Sequence, residues 1–264
     1  MPDWLAIVLL GVIEGVTEFL PVSSTGHLLL AQRWLPAQTD LFNIVIQCGA
    51  VLAVLPLFRA RITAMLSMSS EGRAYAARVA VAFGITAVGG LTLDKLGVGL
   101  PDEVLPIAIA LVVGGVAFLV AERVVSSRAA AGKQASSSLA WIVVVAVGFA
   151  QLLAAVFPGT SRSGATIVVM LLLGVSRVAA TEFTFLVGIP TILAAGGYKI
   201  LKAIKAGGGS EDWTMVALGS AVAAVVSFVV VKWLLGYVQT HSFRAFGVYR
   251  VVVGVIFFAV LALS

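Results

Sequence analysis

The 264-residue chain is 61% hydrophobic and 11% charged, with a net charge of +5 and a mean hydropathy of +1.11. Soluble domains carry about 25% charged residues, so the composition excludes a soluble globular protein and points to an all-α polytopic membrane protein. The single cysteine, Cys48, excludes an intrachain disulfide and reads as a small packing residue in an apolar run. No run of Lys or Arg indicates nucleic acid, and the N-terminal segment lacks the basic start of a cleaved signal peptide.

In chain order, residues 4–20 and 24–35 are apolar stretches too short to cross a bilayer singly, and they are split at Pro21. Stretches of about 20 apolar residues, enough to span, are expected at 41–58, 77–97 and 104–122. Residues 140–157 and 163–175 repeat the split design around Pro158, and further spans are expected at 178–200, 213–235 and 246–263. Each split pair predicts a re-entrant helical hairpin, because non-helical backbone at membrane depth must be buried in protein or line a cavity.

A shift of 137 residues places Gly11 on Gly148, Glu14 on Gln151, Pro21 on Pro158, Ser24 on Ser161, Lys95 on Lys232 and Gly99 on Gly236. A shift of 140 places Val112-Val113-Gly114 on Val252-Val253-Gly254 and Phe118 on Phe258. The common order predicts an internal duplication: a first repeat at 1–124 (hairpin 4–35 plus three spans), a cytoplasmic linker at 125–139, and a second repeat at 140–264 (hairpin 140–175 plus three spans). Three is odd, so the halves insert with opposite orientation, giving six transmembrane helices plus two re-entrant hairpins in an inverted-topology repeat. Such repeats place their site where broken helices meet.

Loop charge predicts the orientation. Arg59, Arg61, Arg73, Arg78, Arg123, Arg128, Lys133, Arg177 and Arg244 fall on one side. The other side mixes Arg33, Lys95, Lys199, Lys202 and Lys205 with Asp40, Asp94, Asp102, Glu103, Glu211 and Asp212. The first side is expected to be cytoplasmic, which puts both termini outside.

Two polar segments, EGVTEFLPVSSTGH (14–27) and PGTSRSGAT (158–166), carry the chemistry. Ionisable groups at membrane depth are costly and mark function. Glu14 and Glu18 share a helix face with Thr17; two such carboxylates suit a hard cation, Mg²⁺ or Ca²⁺, that bridges to phosphate, or pair with a buried base such as Arg162. Ser23, Ser24, Thr25 and His27 open the second half-helix, where free amides and hydroxyls make an anion pocket. Ser24 and His27, three apart, allow a hydroxyl nucleophile with an imidazole base, or a water attack with His27 as base. Ser161, Arg162, Ser163 and Thr166 open the matching half-helix and suit bidentate phosphate binding. Gln47 and Asn43 are expected to bond the hairpin backbone, with Gln47 also counted among the substrate contacts. Glu182 is expected to pair with Arg177 or to cap its helix. Lys232, Tyr249 and Arg250 read as interfacial anchors or interhelical pairs, and His241 as solvated.

Taken together, EGVTEFLPVSSTGH, FNIVIQCGAVLAV (42–54), PGTSRSGATI (158–167), GVSRVAATEFTFLVGIP (174–190) and FGVYR (246–250) resemble the undecaprenyl-diphosphate phosphatase family, also called the bacitracin-resistance type. The matching segments run over nearly the whole chain. The resemblance implies an enzyme of the bacterial inner membrane that removes the terminal phosphate of a polyprenyl diphosphate, so recycling the carrier of cell-wall precursors. It also implies a site opening to the periplasmic or outer face and a divalent cation. The family's carboxylates fall on Glu14 and Glu18, its serine on Ser24, its histidine on His27 and its arginine on Arg162. Asn43 stands where members carry an acidic residue. The expected partners are the lipid substrate and membrane lipid, with a homodimer as one possible assembly. Two other classes are weighed beside it. A lipid transporter or flippase would use the same phosphate-binding hairpins but has no need of Glu14, Glu18 and His27 together. The other lipid phosphatase superfamily needs a second histidine in an SRxxxxxHxxxD setting, which His241 lacks.

Overall fold

The computed structural model describes residues 1–67, 69–97, 103–205 and 212–262. Gly99, Asp102 and Glu211, used above for the repeat and the loop charges, lie outside them. The described residues are all-helical, without strands. The order is α1 (Asp3–Thr17), α2 (Ser24–Ala31), α3 (Asp40–Val54), a 3-10 turn at Leu55–Phe58, α4 (Arg59–Leu66), α5 (Ser70–Lys95) and α6 (Val104–Ala130). Then come α7 (Trp141–Val156), α8 (Arg162–Leu172), α9 (Arg177–Lys205), α10 (Trp213–Thr240) and α11 (Arg244–Ala262). Pro56 lacks an amide hydrogen, and the chain tightens there into the 3-10 turn that joins α3 to α4.

Among the described residues, six helices are long and apolar enough to cross a membrane: Asp40–Leu66, Ser70–Lys95, Val104–Ala130, Arg177–Lys205, Trp213–Thr240 and Arg244–Ala262. The chain is a multi-pass membrane protein. Helix α6 continues to Ala130, so the expected linker at 125–139 is helical over its first residues. Past α6, Ser136 is tied down: its amide donates to the Gly174 carbonyl at 2.9 Å, and its own carbonyl accepts from Ser176 at 2.8 Å.

The short helices are held by close approach. In lipid, helix association rests on small residues and interhelical hydrogen bonds. Helix α1 lies on α10, where a Cβ at Gly11 would stand 2.8 Å from the Gly219 carbonyl and one at Gly15 2.7 Å from Val226 Cβ. Helix α7 lies on α5, where a Cβ at Gly148 would stand 2.8 Å from Ile85 Cβ. Each contact carries a hydroxyl: Ser227 donates to the Gly15 carbonyl at 3.1 Å, and Thr86 to the Gly148 carbonyl at 3.3 Å. Gly15→Ala is therefore expected to push α1 off α10 and cost about 1–3 kcal/mol, seen as a lower unfolding temperature; an unchanged midpoint would contradict this packing.

Contacts at the helix ends respect two sides. Tyr198 donates to Asp94 at 3.0 Å and Lys199 lies 3.8 Å from Asp40. At the other end Arg244 donates to Ser126 at 3.1 Å, and Arg177 pairs with the fully buried Glu122, Nε to Oε1 at 2.9 Å. Glu182 does not pair with Arg177 as expected. It binds Arg61 at 2.8 Å, because Glu122 already holds Arg177 and also accepts the Phe243 amide at 2.8 Å.

Candidate active site

The two breaks share one local design. Ser23, with φ +76°, and Ser161, with φ +66°, are the only non-glycine residues with positive φ among the described residues. Each is the N-cap of its half-helix, and each side chain accepts from the glycine amide three residues on: Gly26 to Ser23 at 3.3 Å and Gly164 to Ser161 at 3.1 Å. Left-handed serines are strained, and the cap bond helps to hold them. Cap geometry pairs these two serines, one position away from the pairing that the 137-residue shift gives. Ser161 matches Ser23, not Ser24, because the second break has one residue more between its proline and its cap. Ser24 therefore corresponds to Arg162, and both open their helices.

Glu18, the residue after α1, joins the two breaks. Its Oε2 accepts from the Ser24 hydroxyl at 2.6 Å, and its Oε1 accepts from Arg162 Nη2 at 2.9 Å. The other guanidinium nitrogen, Arg162 Nη1, is buried without a partner among the described residues. Gly188 makes room for it, since a Cβ there would meet the Arg162 side chain, with Cζ at 3.1 Å. One turn before Glu18, Glu14 is completely buried, and neither carboxylate oxygen has a donor among the described residues. A buried carboxylate with no hydrogen bond is costly.

The expected Ser24–His27 pair is not formed. The break turns the Ser24 hydroxyl onto Glu18 and sends His27 elsewhere. His27 Nδ1 lies 2.7 Å from the Ser23 carbonyl, and Nε2 lies 2.7 Å from the Tyr249 hydroxyl. The two rings are parallel, 3° apart in plane with centroids at 5.7 Å. Ser163 ties the breaks together by donating to the Leu20 carbonyl at 3.2 Å, and stands 3.2 Å from the Ser161 hydroxyl. Thr166 bonds within α8 and to α9, donating to the Arg162 carbonyl at 2.9 Å and meeting the Thr184 hydroxyl at 2.9 Å. Thr25 is exposed. Among the described residues, Gln47 and Asn43 make none of the expected bonds to the backbone of 4–35, and the Asn43 Oδ1 is buried without a partner.

A match to the family model for bacitracin resistance protein BacA runs over residues 7–256. The chain belongs to the BacA family. It is 50% identical over 258 residues to an undecaprenyl-diphosphatase of Rhizobium etli strain CIAT 652, covering 96% of each chain. It is also 50% identical over 259 residues to one of Xanthomonas euvesicatoria, covering 96% of each, and 49% identical over 265 residues to one of Rhizobium leguminosarum bv. trifolii, covering 98% of each.

In this BacA-family chain the residue that the sequence reading undervalued is Arg250. It is fully buried and is no interfacial anchor. Nη1 donates to the Pro21 carbonyl at 3.1 Å, and Nη2 lies within reach of the carbonyls of Gly159 at 3.0 Å, Thr160 at 3.0 Å and Ala110 at 3.1 Å. One guanidinium thus staples both breaks. Gly114 leaves its space, because a Cβ there would stand 2.7 Å from Arg250 Cζ. The signal was present: a lone arginine inside an apolar helix marks function, and it closes the FGVYR segment. Tyr249 is an interhelical partner, as read, but its partner is a candidate catalytic residue.

Proposed function

We propose that this protein hydrolyses undecaprenyl diphosphate to undecaprenyl phosphate and inorganic phosphate, returning the lipid carrier to cell-wall synthesis and giving resistance to bacitracin. The observation that carries this reading is the shared carboxylate of Glu18, which holds a serine hydroxyl and an arginine against each other at the joined breaks. That arrangement sets a nucleophile, its proton acceptor and a phosphate ligand side by side in an otherwise apolar chain. The full-length relatives are named for the same hydrolysis. No observation favours the carrier reading, which would leave the Ser24–Glu18 bond without a use.

In this scheme the polyprenyl tail lies in the apolar surface between helices and the diphosphate reaches the breaks. The Nη1 of Arg162, the first amides of α2 and α8, and the hydroxyls of Ser23, Thr25 and Ser161 receive phosphate oxygens, and Ser163 joins them when it releases the Leu20 carbonyl. Ser24 attacks the terminal phosphorus as its proton passes to Glu18, the bond from that phosphorus to the bridging oxygen breaks and undecaprenyl phosphate leaves, while the arginine stabilises the charge spread over the phosphoryl oxygens. Water then attacks the phosphoserine, the Ser24 oxygen recovers the proton from Glu18, and inorganic phosphate departs with the protons of the water. Glu14 and Glu18 would hold the divalent cation, and their chemistry fits it: the two orphaned oxygens of Glu14 await a positive charge. That ion would neutralise diphosphate charge.

The finer architecture belongs to the same proposal: an inverted repeat, 1–124 and 140–264, with two re-entrant hairpins. The packing supports it, because exchanging the halves maps α1 on α10 to α7 on α5, and α3 on α10 to α9 on α5, each of which is observed. The matched caps at Ser23 and Ser161 support it too. With the arginine-rich ends cytoplasmic, both termini lie outside and the site opens to the outer face.

The direct test is phosphate release from undecaprenyl diphosphate by purified protein, with and without EDTA. Release that EDTA abolishes and added Mg²⁺ or Ca²⁺ restores is expected. A folded protein that binds the lipid without releasing phosphate would overturn the reading.

A further inference from the structure

A hydrogen bond between side chains on α2 and α11 has no place in the scheme above. The Ser23 carbonyl only accepts, so His27 Nδ1, 2.7 Å away, must carry a proton. In the neutral ring, Nε2 is then the acceptor, and its partner at 2.7 Å is the Tyr249 hydroxyl, which donates. Both ring nitrogens are thereby fixed, and the parallel contact with the Tyr249 ring at 5.7 Å fixes the plane. If His27 takes up a proton, Nε2 becomes a donor and the same hydroxyl oxygen can accept, so Tyr249 serves both states without moving. The tyrosine is partly exposed, at 44%, so this end of the pair is open to the surroundings while the Ser23 end is buried. Ser23 is also the strained cap of α2, and His27 is therefore bonded to the residue that sets the direction of Ser24.

We infer that Tyr249 is a positioning residue for hydrolysis, acting through His27, whose Nδ1–H on the Ser23 carbonyl steadies the cap that aims Ser24: the Tyr249 hydroxyl holds the imidazole in the tautomer with Nδ1 protonated and Nε2 as acceptor. The inference rests on the proposed hydrolysis. It assigns Tyr249 no contact with phosphate. Tautomer control by a hydrogen bond to the second ring nitrogen is a general device.

The test uses the full-length protein with undecaprenyl diphosphate and four chains: wild type, Tyr249→Phe, His27→Asn and the double variant. Phenylalanine keeps the ring contact and removes only the hydroxyl. Asparagine keeps a donor toward the Ser23 carbonyl and removes the Nε2 position. The expected result for Tyr249→Phe is a fall in kcat on the order of tenfold, an unchanged KM, an unchanged unfolding temperature, and a displaced pH–rate profile. Adding Tyr249→Phe to His27→Asn is expected to cost nothing further. A kcat and pH profile equal to wild type would overturn the inference. So would a loss confined to KM, or a kcat loss accompanied by a matching loss of stability with the pH profile unmoved. If wild type itself releases no phosphate, it is the proposed hydrolysis that fails, and His27 and Tyr249 need another explanation.

Discussion

Glu18→Gln is expected to lower kcat for undecaprenyl diphosphate by about a thousandfold, within the range for loss of a general base, while leaving the protein folded. Glutamine fills the same volume and its carbonyl oxygen can still accept one of the two bonds that Glu18 makes, to Ser24 at 2.6 Å and to Arg162 at 2.9 Å. It cannot take up the Ser24 proton. It also removes the charge that holds Arg162 in place, so the arginine loses orientation as well. Glu14→Gln should behave differently. Glu14 touches neither Ser24 nor Arg162 by hydrogen bond, and its role in the scheme is to hold the cation. Its loss should appear mainly as a raised cation requirement, partly recovered at high Mg²⁺ or Ca²⁺, whereas Glu18→Gln should not recover. Phosphate release titrated with cation separates the two variants. An activity within tenfold of wild type for Glu18→Gln, at any cation concentration, would remove Glu18 from the chemistry and return the role of base to His27 or water.

Arg250→Met is expected to cost about 3 kcal/mol of stability. The side chain is roughly preserved in length, but the carbonyls of Pro21, Gly159 and Thr160 lose their guanidinium donor, and that of Ala110 keeps only its bond within α6. A buried acceptor left unsatisfied costs about 1–3 kcal/mol, and these four share one guanidinium, so their costs do not simply add. A loss of that size lowers the unfolding temperature by about 6–12 °C in a chain of this length. Arg250→Lys should recover part of it, because an ammonium keeps the charge but lacks the planar fork that reaches both breaks at once. Activity should fall with stability in Arg250→Met, since the Pro21 and Gly159–Thr160 carbonyls belong to the turns that aim Ser24 and Arg162. Thermal unfolding in detergent, followed beside phosphate release, checks both. A methionine variant that melts with wild type would mean that the breaks hold themselves without the staple.

The two variants probe features of unequal visibility in the sequence. Composition and hydropathy are local sums, and they determine the all-helical membrane character, the six long apolar helices, and the interruption of two shorter pairs at Pro21 and Pro158. Glu14, Glu18, Ser24, His27 and Arg162 stand out by the same logic, because polar groups in an apolar run are expensive. Sequence alone also carries the family membership, through segments long enough to be specific. Which atom meets which is a different matter. Ser24 and His27 are three residues apart on one helix, a spacing that allows them to meet, yet Ser24 bonds Glu18 and His27 bonds Ser23 and Tyr249. The direction of each half-helix is set by a serine in the left-handed region, and no periodicity announces that conformation. The extra residue in the second break, which makes Arg162 rather than Ser161 the counterpart of Ser24, shows only once the two caps are recognised by their positive φ and matching bonds. Arg250 lies more than 200 positions from Pro21 in sequence and reaches it only because α11, α6 and both breaks pack around one buried guanidinium. Partner choice of this kind depends on the rotation and depth of packed helices, and those are fixed by the tertiary structure as a whole.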